Sequence, residues 1–174
     1  MNQKSSTTSA STIARNWRLE SADVLRCFEW NGFGPVPAEL GVGAERPGAV
    51  CRRPDGKLLS MHPAPDRWLL PDPPASLLDS LDQAERQELG VCTDVSGRWR
   101  TLVIVPVEGT GSQSHPLSAA MPLALVLAER GCAALWAFDC PVIVATNALG
   151  HEIWVEASYQ ASFIAMLATL GVKA

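Results

Sequence analysis

The stretch Cys92–Ser112, CTDVSGRWRTLVIVPVEGTGS, decides how the rest of the chain is read. An acid and a hydroxyl run into Gly97, a run of apolar residues follows, and Gly109 and Gly111 close it. Val103, Ile104 and Val105 are apolar at consecutive positions, which predicts a central strand covered on both faces. Upstream, residues 91–96 predict a second strand, with Ser96-Gly97-Arg98 as the turn between the two. Asp94 and Ser96 flank that turn, where short polar side chains bond nearby backbone N–H groups. No base, metal ligand or second acid stands at a spacing that suits catalysis. Asp94-Val95-Ser96-Gly97 therefore reads as a structural corner.

Working outward, residues 23–30 (DVLRCFEW) alternate Val24, Arg26, Phe28 and Trp30 against Leu25, Cys27 and Glu29, which predicts a strand. Residues 31–48 are dense in Gly and Pro and predict a loop. Pro54-Asp55-Gly56 is a hairpin turn, because Gly56 can take the positive φ that such turns demand. A further strand covers Arg67–Leu70. Residues 72–90 predict a helix: Pro74 lies in its first turn, Leu77, Leu78, Leu81 and Ala84 form one face, and Gly90 follows its end.

Downstream, a short helix is expected to stop at Gly131, followed by strands at 133–139, 141–146 and 151–156. The closing helix, 157–170, puts Tyr159, Phe163, Met166, Leu167 and Leu170 on one face. Strands come in hairpins and do not alternate regularly with helices. The fold class is therefore α+β, mostly antiparallel sheets with packed helices. Residues 1–20, rich in Ser and Thr without an apolar secretion core, are an expected flexible N-terminal tail, and 21–174 a single domain.

The 174 residues are 47% apolar and 18% charged, with net charge −4. Acids and bases are interspersed, so there is no basic stripe for a phosphate backbone, and nucleic acid is not an expected partner. No apolar run is long and unbroken enough to span a bilayer. Five cysteines, at 27, 51, 92, 132 and 140, form no C-x-x-C pair. Their odd number and apolar neighbours suggest reduced, buried thiols and a cytoplasmic protein, and no metal site is expected.

The glycine groups at 32–34 and 41–48 lack the following helix that a phosphate loop requires. His62, His115 and His151 each stand without an acid or cysteine at triad or ligand spacing. Cys132 follows a predicted helix end, where the dipole does not favour a thiolate. Trp68, Trp99, Trp136 and Trp154 lie on or beside predicted strands, which suits a core or a protein–protein contact.

Two segments carry a resemblance. PAPDRWLLPDPPASLLDSL (63–81) sets an Asp-Arg-Trp-Leu-Leu strand before an apolar helix, and TDVSGRWRTLVIVPVEGTGS (93–112) follows. Together with the closing segment EIWVEASYQASFIAMLATLG (152–171), they resemble the gamma subunit of heterotetrameric sarcosine oxidase. That family lies within the folate-binding aminomethyltransferase (T-protein-like) superfamily, which implies an aminomethyltransferase-like fold. The resemblance implies an accessory, non-catalytic subunit working with alpha, beta and delta subunits in a complex that oxidises N-methyl amino acids. FAD, FMN, NAD and tetrahydrofolate would belong to those partners, and none to this chain alone. The transferase's catalytic aspartate has no counterpart, since residues 109–138 contain no Asp. The related iron–sulfur-repair proteins' Lys-Gly-Cys-Tyr motif is met only by Arg130-Gly131-Cys132. No catalytic, cofactor-binding or metal-binding residue carries over.

The alternative is a free-standing folate-binding or aminomethyltransferase-like protein. Its acids would come from Asp94, Glu108, Glu152 and Glu156 near predicted strand ends. A small scaffold protein that merely shares the fold is a third reading.

Overall fold

Residues on a strand alternate between its two faces, so a strand apolar at successive positions needs cover on both sides. Ten strands here find that cover by forming two sheets placed face to face, each backed by a helix. The computed structural model describes residues 17–22, 24–32, 38, 46–107, 116–119, 131–147 and 150–173. In chain order the elements are β1 (Trp17–Ala22), β2 (Cys27–Gly32), β3 (Val50–Arg52), β4 (Leu58–Ala64), β5 (Arg67–Pro71) and α1 (Ala75–Arg86). There follow β6 (Gly90–Asp94), β7 (Trp99–Pro106), β8 (Cys132–Ala137), β9 (Cys140–Asn147), β10 (Gly150–Glu156) and α2 (Gln160–Thr169). Short 3-10 turns occupy Pro116–Ala119 and Ala157–Tyr159.

The first sheet runs β1-β7-β10-β9-β8 and the second β3-β4-β5-β2-β6. All pairings within them are antiparallel. The α+β expectation holds, with two antiparallel sheets and two α-helices among the described residues.

Three apolar layers follow from the alternation. Leu102, Ile104, Val142, Val144, Ile153 and Val155 face Phe163 and Leu167 of α2. The intervening residues Trp99, Ile143, Ala145 and Trp154 face Cys27, Leu58, Met61 and Leu69 of the second sheet. On the far side of that sheet, Phe28, Trp30, Trp68 and Leu70 pack on Leu77, Leu81 and Ala84 of α1. Each fully buried Leu or Ile contributes about 1.5–3 kcal/mol through area removed from water. β7 is interior and largely covered on both faces, as its apolar run requires.

Three boundaries differ from the sequence expectation. Trp17–Ala22, placed partly in the expected tail of 1–20, forms edge strand β1, paired from Trp17↔Pro106 to Ala22↔Thr101. Trp17 is buried against the α2 layer, and that burial gives the short polar-looking segment its anchor. The strand expected at 23–30 starts later, at Cys27, and extends through Asn31 and Gly32. The closing helix buries only Phe163 and Leu167, whereas Tyr159 and Met166 are exposed. The expected short helix before Gly131 and most of the 31–48 loop fall outside the described residues.

Gly32 and Gly90 are cross-strand partners in β2 and β6, and the Trp30 indole lies across both. A Cβ at Gly90 would stand 2.4 Å from Trp30 Cζ2 and 2.6 Å from the Asn31 carbonyl oxygen. Because backbone is part of that clash, no rotamer change relieves it. Gly90→Ala is expected to lower unfolding free energy by about 1–3 kcal/mol. Gly97→Ala, with nothing within 4 Å of the added methyl, should leave the midpoint unchanged. Urea titration of the two variants side by side checks the contrast.

Candidate functional site

β6 and β7 are not a hairpin, as the sequence suggested, because β6 pairs with β2 and β7 with β1 and β10. The turn at Val95–Arg98 instead carries the chain from one sheet to the other. The Ser96 backbone N–H and hydroxyl both donate to Asp94 Oδ1, at 3.0 and 2.5 Å. The Cys27 N–H donates to Ser96 Oγ at 3.0 Å, and the Val95 N–H donates to the Cys27 carbonyl at 2.8 Å. The Ser96 hydroxyl holds the Asp94 carboxyl below its ordinary range, helped by the Ser96 N–H and by the charge of Arg26. Asp94 and Ser96 are thus consumed in holding the corner.

The corner sends the next two side chains into the gap between the sheets. There Arg67, Arg98, Trp99, Trp136, Ile143 and Glu156 line a cleft of about 210 Å³. Arg98 donates through Nε and an NH2 nitrogen to Glu156 Oε1, at 3.1 and 2.7 Å. Arg67 donates to Glu29 Oε2 at 2.7 Å, and the same oxygen lies 3.8 Å from Arg98. Asn31 donates to the other Glu29 oxygen at 3.2 Å. Both guanidiniums stand over the Trp99 ring, at 6.0 Å for Arg67 and 5.3 Å for Arg98. The cluster is neutral: two cations, two carboxylates. Trp99 itself is only 7% exposed, and its indole N–H and the Arg67 Nε–H are buried donors without an acceptor.

Trp136 stands apart from the other tryptophans. Trp68, Trp99 and Trp154 are core residues, while Trp136 is 71% exposed on the rim of the cleft. Of the acids named for a folate pocket, only Glu156 reaches this cleft, and it is ion-paired. Glu152 is buried 3.7 Å from Arg52 in another part of the sheet interface, Asp94 is in the corner, and Glu108 lies outside the described residues. His62 is buried and stacked on Trp68 at 4.0 Å, and His151 is half-buried, its pKa lowered by burial. His115 lies outside the described residues.

Burial pushes the Cys27 thiol up to about 12 and that of Cys92 to about 11, and none of the five cysteines is in a disulfide. Among the described residues no group of three or more His, Cys, Asp or Glu is placed to hold a metal ion. Nor, among them, is any helix long and apolar enough to cross a membrane.

Arg67, Arg98 and Glu29 are absent from the candidates named by sequence. Their signal lay in a repeated dipeptide, Glu29-Trp30, Arg67-Trp68 and Arg98-Trp99. Strand alternation sends the first two tryptophans to the α1 side and their charged neighbours toward the gap between the sheets.

Comparison with known proteins bears on the fold. No protein-family model matches the chain, and no curated protein does. Among solved structures, a heterotetrameric sarcosine oxidase from Corynebacterium sp. U-96, in complex with pyrrole 2-carboxylate, is similar with TM-score 0.62 and 18% identity. The match covers 90% of this chain and 84% of that one. A protein from Agobacterium tumefaciens matches with TM-score 0.43 and 14% identity over 92% of both chains. A Vibrio cholerae protein of unknown function, described as a possible transport protein, matches with TM-score 0.40 and 14% identity, over 92% of this chain and 94% of that one. At these identities the likeness is one of fold.

The corner generates a stability prediction. Ser96→Ala leaves the Cys27 N–H unpaired and should cost about 1–2 kcal/mol, read from chemical denaturation. A carboxyl with a lowered folded pKa stabilises above its unfolded value, and that contribution fades as pH falls through the folded pKa. The wild type should therefore be more stable than Asp94→Asn near neutral pH. The gap should close as the medium is acidified below the ordinary value of 3.8. Denaturation of both proteins across that range measures it, and a gap that persists in acid contradicts it.

Proposed function

We propose that this chain is an accessory, non-catalytic subunit of a sarcosine-oxidase-like complex, the counterpart of a gamma subunit. The observation that carries the reading is the fold match with a chain of heterotetrameric sarcosine oxidase, which spans nearly all of both chains. The match covers 90% of this chain and 84% of that one, so it extends over most of each. The partners would be alpha, beta and delta subunits, holding FAD, FMN, NAD and tetrahydrofolate, and the complex would oxidise N-methyl amino acids in the cytoplasm. A cleft of about 210 Å³ is below the range of roughly 300–1,000 Å³ usual for a cofactor-sized ligand. No reaction step is therefore assigned to this cleft.

The surface agrees with a life among partners. The outer face of α1 carries Asp79, Asp82, Glu85 and Arg86, as a helix facing water does. From Ala157 to Val172, by contrast, there is no charged residue, and Tyr159 and Met166 are exposed there. Interface centres are depleted in charge and enriched in aromatics and Met, and Trp136 adds a third exposed group of that kind. A tagged chain recovered from its native source by mild lysis should co-elute on a sizing column with flavin absorbance, well above its own 18.6 kDa. That material should oxidise an N-methyl amino acid. A colourless chain eluting alone overturns the subunit reading, and titration of that chain with a reduced folate then tests the free-standing alternative.

A further inference from the structure

We propose that the outer edge of β8 receives an extended segment of a partner chain, which continues the first sheet and drops an apolar side chain into the Trp136 cleft. The proposal rests on the subunit reading above and adds where and how the partner binds.

The backbone sets the geometry. In an antiparallel pair, bonding groups alternate between facing the partner strand and facing away. The Thr146 N–H donates to the Gly131 carbonyl, and the register runs on through Ala133↔Val144 and Leu135↔Val142. The N–H and C=O groups of Ala133, Leu135 and Ala137 therefore face β9, and those of Cys132, Ala134 and Trp136 face outward. The Cys132 N–H confirms the phase, since it donates outward to the Gly48 carbonyl at 2.9 Å. Beyond Cys132 that cover stops. Among the described residues no backbone bond from the Ala134 or Trp136 N–H leads outward, and both residues are exposed.

Free edges are normally guarded by charge, proline or a bulge. Residues 131–138, GCAALWAF, hold none of these guards, and the β8–β9 register is unbroken. The side chains of Cys132, Ala134 and Trp136 share the inner face of the sheet, so a strand laid on this edge places alternate residues over the cleft. The cleft names the chemistry of that strand. Its walls at Trp136, Ile143 and Trp99 are apolar, and its charged lining, Arg67, Arg98 and Glu156, is balanced by Glu29, which pairs with Arg67 behind it. The donors left over are the buried N–H groups of Trp99 and Arg67. Both lie out of reach of solvent, so an occupant meets the apolar walls and a charge-balanced cluster, which an added charge would unbalance. The occupant is thus an uncharged extended segment with apolar residues at alternate positions, the mode of strand addition.

Two substitutions separate this from a general loss of fold. Ala134→Pro removes an N–H that the isolated chain does not use, and proline is tolerated where that group faces solvent. Trp136→Ser alters only an exposed side chain. In the native-source capture, each should recover roughly thirtyfold less partner and flavin than wild type. Glu85→Ala, on the charged face of α1, should recover as much as wild type. Hydrogen exchange on the wild-type complex should show the Ala134 and Trp136 amides slowed relative to the free chain. If wild type captures the flavin-bearing partners and both variants do so equally, this proposal fails and the subunit reading stands. If wild type captures nothing, both fail. If the free chain runs as a dimer that Ala134→Pro dissolves, the occupant is a second copy, and the partner-strand proposal is wrong.

Discussion

The whole arrangement depends on a crossing only four residues long, Val95–Arg98, that takes the chain from the second sheet to the first. Such a crossing must be tied down at both ends, because two sheets packed only through side chains could slide. On one side, Cys27 at the start of β2 exchanges two bonds with it, donating to Ser96 Oγ and accepting from the Val95 N–H. On the other, the Arg98 carbonyl accepts from the Ala157 N–H just beyond β10. One sheet holds the entry to the corner and the other its exit. Asp94 locks the middle by accepting twice from Ser96. With the backbone so fixed, Trp99 enters the inter-sheet core and Arg98 meets Glu156 across the cleft.

That explains what was legible in the sequence and what was not. The turn chemistry of Asp-Val-Ser-Gly was readable because it is local: two short polar side chains bonding backbone within a few residues. The helix over Ala75–Arg86 was readable for the same reason, from Pro74 at its start and Leu77, Leu81 and Ala84 on one face. Which strand lies beside which was not local. Nothing in residues 91–106 states that β6 belongs with β2, 60 or so positions upstream, so a hairpin was the natural expectation. Trp17–Ala22 was obscured because its bonding partners, β7 on one side and Lys173 on the other, lie far along the chain, and its anchor, Trp17, is a single residue after a Ser/Thr-rich run.

The cleft was hidden for a stronger reason. The four charged residues of its ion-pair cluster come from β2, β5, the crossing and β10, and each looks alone in sequence like an ordinary charge on or beside a strand. Only sheet pairing brings Glu29 to Arg67, and only the corner brings Arg98 to both carboxylates. Searching for catalytic acids picked out Glu156 but not its partner, since Glu156 accepts two guanidinium bonds from Arg98, 58 positions away.

The character of that cluster limits what the cleft can do. Catalysis by a carboxylate requires a group whose proton affinity is tuned away from its neighbours, usually by burial without a counter-ion. Here each acid is matched to an arginine, and both arginines are held over an aromatic face. Matched charges hold the side chains of the cleft in fixed positions. The indole of Trp136 stands exposed on the rim, a large flat apolar group beside the Arg67 and Arg98 guanidiniums. The same short crossing that joins the two sheets thus also places Arg98 and Trp99 in the cleft between them.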